Sequence, residues 1–75
     1  MNEIVFRLNF TPDEYLPFYR GDIRWVVVRG EDGRRVRFPA EHLRRFVTQD
    51  GIQGRFAMRF DRSNKFQGLR RVGRL

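Results

Sequence analysis

The chain has 75 residues, a net charge of +7, and eight Phe, two Tyr and one Trp, with no cysteine. Disulfides, thiolate metal sites and thiol catalysis are therefore excluded. No apolar run approaches the roughly 18 residues of a membrane span, and Met1-Asn2-Glu3-Ile4-Val5-Phe6-Arg7 lacks a signal-peptide layout. These features predict one soluble, cytoplasmic domain over residues 1–75. A domain this small removes only about 60% of its unfolded surface from water, so the aromatics must carry much of its core.

Residues 3–10 alternate, with Ile4, Phe6, Leu8 and Phe10 on one face and Val5, Arg7 and Asn9 on the other, which predicts a half-buried strand. Thr11-Pro12-Asp13-Glu14 reads as a helix start with a capping box, and Phe10 and Tyr15 stand at hydrophobic-staple positions. Pro17 limits that helix to a short or kinked one over about residues 12–20, ended by Gly21. Residues 22–29 are apolar on both faces, Ile23, Trp25 and Val27 on one and Val26 and Val28 on the other. That pattern predicts cover on both sides, from a curled sheet or a dimer interface.

Gly30-Glu31-Asp32-Gly33 is a hairpin turn, and residues 34–38 return with Val36 and Phe38 inward and Arg35 and Arg37 outward. Residues 39–46 fit one or two helical turns, with Leu43, Phe46 and Val47 facing the core. Residues 52–60 alternate again, Ile52, Gly54, Phe56, Met58 and Phe60 against Gln53, Arg55, Ala57 and Arg59. After a turn at 61–64, a last strand over 65–72 carries Phe66, Leu69 and Val72, and a bulge at Gly68 would return Leu69 to the core. The expected fold is α+β, in the order β-α-β-β-α-β-β. It has a curled, mainly antiparallel sheet of about five strands and one main helix after the first. The expected core is Ile4, Phe6, Leu8, Phe10, Leu16, Trp25, Val27, Val36, Phe38, Leu43, Phe46, Ile52, Phe56, Met58, Phe60, Phe66 and Leu69.

Catalysis has little to work with. His42 is the one histidine and Ser63 the one serine, in a turn, so neither a serine triad nor a histidine metal cluster can be assembled. There is no Asp-x-Asp spacing, phosphate loop or dinucleotide fingerprint. The residues predict a binding protein without cofactor or metal, not an enzyme. The glycines at the turns read as structural.

Charge points further. Residues 1–33 hold four Arg against six acids, whereas residues 34–75 hold eleven Arg and one Lys against three. A one-sided excess favours a polyanionic partner; codon composition is the bland alternative, since fifteen of sixteen cations are Arg. The expected nucleic-acid-binding set is Arg35 and Arg37 on one strand and Arg55 and Arg59 on another. Arg44, Arg45, Arg70 and Arg71 would extend it. They would make phosphate contacts to RNA or DNA without reading sequence. What this reading lacks is aromatic residues among the arginines, for which only Tyr15, Tyr19 and Trp25 are candidates. The rival reading is a protein-interaction module, as a homodimer or with another protein, built on Trp25, Tyr15 and Tyr19.

The chain also resembles a family of short bacterial proteins described only as a domain of unknown function, number 2835. The resemblance spans nearly its whole length. It rests on Phe6-Arg7-Leu8, Glu14-Tyr15-Leu16 with Tyr19 and Gly21, Phe38-Pro39-Ala40, Leu43-Arg44 and Phe46-Val47-Thr48. It continues through Gly51-Ile52, Gly54-Arg55-Phe56 and Asn64-Lys65-Phe66 with Leu69. Arg45 stands where the family pattern favours Pro. The resemblance implies a small stand-alone bacterial domain and supplies no activity, ligand or site residue.

Overall fold

Alternating apolar and polar residues make Asn2–Phe10 a strand, β1, whose Ile4, Phe6 and Leu8 are buried. The computed structural model describes residues 2–74. After β1 come helix α1 (Pro12–Arg20), strands β2 (Trp25–Arg29) and β3 (Arg35–Pro39), a 3-10 helix (Ala40–Phe46), and strands β4 (Ile52–Phe60) and β5 (Phe66–Gly73). This is the expected order and the expected α+β class. The five strands are divided between two antiparallel sheets, a three-stranded one in the order β1-β4-β5 and a β2-β3 ribbon. Packing joins the two sheets: Phe6 of β1 meets Phe38 of β3 at 5.7 Å between rings and Phe56 of β4 at 6.0 Å. Phe6, Phe38 and Phe56 are almost fully buried, and each such burial contributes about 1.5–3 kcal/mol.

Helix α1 has nine residues, too few to persist alone, so its ends and its packing hold it. Glu14 N–H donates to the Thr11 hydroxyl at 3.2 Å, and Thr11 N–H donates to the Glu14 carboxylate at 2.9 Å. Gly21 ends the helix at φ +84°, a left-handed conformation that suits glycine. Phe18 packs on Phe10 at 5.5 Å, and Tyr15 is buried, whereas Leu16, expected in the core, is exposed. Between the 3-10 helix and β4, Gly51 has φ +92°, and a Cβ there would lie 2.0 Å from the Phe10 carbonyl oxygen.

The ribbon corrects the expected core a second time. Trp25 and Val27 are 49% and 60% exposed, while Val26 and Val28 are buried. Antiparallel partners share a face, and the ribbon pairs Val26 with Phe38 and Val28 with Val36. Trp25 and Val27 therefore lie on the side of Arg37 and Arg35, away from the core. The expected bulge is present beside Gly68: Phe60 pairs with Phe66 and Arg59 with Gly68, leaving Gln67 as the extra residue and Leu69 buried.

Candidate nucleic-acid interface

The expected arginine set does not fall on one surface. Arg55, Arg59 and Arg70 belong to the outward face of the three-stranded sheet, where Arg7 of β1 stands directly opposite Arg55. Glu31, in the turn between β2 and β3, reaches over this face. Its carboxylate accepts two hydrogen bonds from Arg55, at 2.8 and 2.7 Å, and lies 3.4 Å from Arg7. The turn is fixed for this: Glu31 N–H donates to the Val5 carbonyl at 2.7 Å, and Arg34 pairs with Asp32 at 2.6 Å. The Arg55 hydrogen bonds hold the Glu31 carboxyl below its ordinary range, with smaller help from Arg7, and Glu31 in turn raises Arg55. Arg70 pairs with Glu3 at 2.8 Å, and Glu3 also stands opposite Arg59 in the register. This face matches its cations with acids.

The outward face of the ribbon is different. It presents Trp25, Val27 and Arg29 from β2 and Arg35, Arg37 and Pro39 from β3. Arg29 stands opposite Arg35, and Val27 opposite Arg37. The Arg37 guanidinium lies over the Trp25 ring, 4.6 Å from its centroid. Among the described residues, Arg29, Arg35 and Arg37 make no ion pair with a carboxylate. Of the three aromatic candidates, Trp25 lies on this basic face. Arg29 was missed altogether, although pairing across the Gly30–Gly33 turn from Arg35 would have placed it.

The other expected residues separate. Arg44 lies 5.5 Å over the exposed Tyr19 ring and lines a recess that Trp25 also lines, so Tyr19, Arg44, Trp25 and Arg37 follow one another across the surface. Arg45 turns the other way, donating to the Leu69 carbonyl of β5 and stacking 4.7 Å over Phe46. Arg71 donates to the Gly73 carbonyl at 3.3 Å. It pairs with Phe56 in the register, whereas Arg70 pairs with Ala57, so these neighbours point to opposite faces. Tyr15 leaves the expected interface set: it is 3% exposed, and burial pushes its hydroxyl up from its ordinary range. His42 stacks on Phe66 at 3.9 Å. Among the described residues no three His, Asp or Glu side chains converge as metal ligands, and no helix is long and apolar enough to cross a membrane.

A family model described as "Protein of unknown function (DUF2835)" matches residues 2–72, and the chain belongs to that family. No curated protein and no solved structure matches it.

Proposed function

We propose that this member of the family binds single-stranded nucleic acid through the outward face of the β2–β3 ribbon. One observation carries the proposal: three arginines share that face with an exposed tryptophan, and among the described residues no carboxylate pairs with them. Arg29, Arg35 and Arg37 neutralise phosphates, while Trp25, and beyond it Tyr19, offer rings on which unpaired bases stack. Every base has a π face, so such a surface tolerates any sequence along most of its length. In a duplex the bases are already stacked, which leaves Trp25 without a partner.

The exposed apolar side chains also favour a second reading, self-association. Tyr19, Ile23, Trp25 and Val27 are each more than 40% exposed. Two copies meeting face to face would, however, oppose their unpaired arginines. Sedimentation at high concentration separates the two readings: a dimer whose formation buries Trp25 supports the second.

Fluorescence anisotropy of labelled single-stranded RNA, single-stranded DNA and duplex DNA, titrated at several salt concentrations, tests the first. The expected result is micromolar or tighter affinity for single strands near physiological salt. Log affinity should fall against log salt by about 0.7 for each phosphate contacted. Binding seen only at very low salt, and equally for every polymer, would overturn it, because net charge alone accounts for that.

A further inference from the structure

A recess of about 400 Å3 lies at the Trp25 end of the ribbon, within the size range of small-molecule sites. Phe18, Ile23 and Trp25 supply apolar wall, and Arg24, Glu41 and Arg44 its charged groups. We infer that this recess takes a guanine base of the bound strand, with the Glu41 carboxylate reading its Watson–Crick edge. The inference rests on the single-strand reading above and gives that otherwise sequence-tolerant surface one selective position.

Glu41 is the reason. It is exposed, and among the described residues its carboxylate makes no hydrogen bond or ion pair. A carboxylate beside a phosphate-binding surface repels the strand unless it meets hydrogen-bond donors. It is acceptor-only, with two oxygens side by side. Guanine presents two adjacent donors, N1–H and the N2 amine. Adenine and cytosine each set a donor beside an acceptor, and uracil sets its N3–H between two carbonyl oxygens. Of the four bases only guanine matches both carboxylate oxygens. Trp25 supplies the stacking surface, and Arg24 and Arg44, which line the same recess, supply cations for the flanking phosphates.

Trp25 is the only tryptophan, so its fluorescence reports occupancy directly. The probes are short oligouridine strands, unbroken or carrying one central guanosine, inosine, adenosine or cytidine, together with guanosine monophosphate alone. The guanosine strand is expected to bind about tenfold more tightly than unbroken oligouridine. Inosine, lacking the N2 amine, should fall between. Glu41→Gln should abolish the preference and raise oligouridine affinity modestly, since it removes a carboxylate that repels the strand. Equal affinity for all five strands, or a guanosine preference that survives Glu41→Gln, overturns the inference and leaves the single-strand reading standing. Quenching by guanosine monophosphate that Glu41→Gln removes, with no strand bound, overturns the single-strand reading and leaves the pocket. Neither signal overturns both.

Discussion

Two pairs of arginines face each other across antiparallel strands. Arg7 and Arg55 stand opposite on the three-stranded sheet, Arg29 and Arg35 on the ribbon. Like charges in that relation destabilise a sheet. On the sheet, Glu31 sits between the two guanidinium groups and turns repulsion into a closed unit. On the ribbon no acid of the described residues does the same for Arg29 and Arg35. There the fold holds cations together at a cost, which a bound anion would relieve. The number of arginines on a face therefore says little; whether an acid answers them decides whether the face is available to a phosphate.

The comparison breaks most directly when each face loses its arginines in turn. Arg35→Ala with Arg37→Ala is expected to weaken single-stranded RNA binding tens-fold near physiological salt. The slope of log affinity against log salt should drop by about 1.4. Arg55→Ala with Arg70→Ala should leave affinity within about twofold and lower the melting temperature by a few degrees, because two surface ion pairs are lost. Anisotropy and thermal melts on the same samples read both effects. Equal losses of affinity from the two double variants would mean that acids on the sheet do not silence it.

A smaller change sharpens the distinction between charge and stacking on the ribbon. Trp25→Leu keeps apolar volume at a half-exposed site and removes the ring. Affinity for single strands should fall about tenfold with the salt slope unchanged, since stacking releases no counterions. Duplex affinity should stay where it was. A fall in slope would instead tie Trp25 to the phosphate contacts, through its hold on Arg37.

Much of the fold was written locally. The period of β1 and β4, the Thr11–Glu14 capping box, the Gly21 stop and the break beside Gly68 each depend on a few neighbouring residues, and each stands where expected. The inward face of β2 could not be read locally, because a strand apolar on both sides has no polar phase to mark solvent. The expected core takes Trp25 and Val27, whereas the buried pair is Val26 and Val28. The deciding signal lay in β3, whose Arg35, Val36, Arg37 and Phe38 alternate cleanly. Carried across the turn, that alternation puts Val26 and Val28 inside and Trp25, Val27 and Arg29 outside. Helix α1 erred for a related reason: with nine residues and Pro17 inside it, the pattern was too short to choose between Tyr15 and Leu16. The candidate site was half legible. The outward placement of Arg35 and Arg37 is legible in the alternation of β3, but the pairing of Arg55 with Glu31 spans 24 positions of sequence and depends on how the turn folds back over β1.

Glu31→Gln tests that silencing with the smallest of the expected effects. It frees Arg7 and Arg55 and raises the net charge by one, so single-strand affinity should rise two- to threefold and the salt slope should steepen. It should also cost a few degrees of melting temperature at neutral pH, where the ionised carboxylate holds Arg55. The pH dependence of that cost has a definite sign. Hydrogen bonds from Arg55 lower the folded-state value of Glu31 below its unfolded one. Its contribution is therefore complete above the unfolded value, about 4.3, and is lost as pH falls through the lower, folded one. Asp32, lowered by Arg34 hydrogen bonds, loses its contribution over the same range in both proteins. The difference between their melting curves isolates Glu31. That difference should stay constant from neutral pH down to about pH 5 and close progressively below about pH 4. A gap that persists in acid would mean that the side chain at position 31 acts through something other than its charge, because the backbone bond from Glu31 N–H to the Val5 carbonyl is common to both proteins.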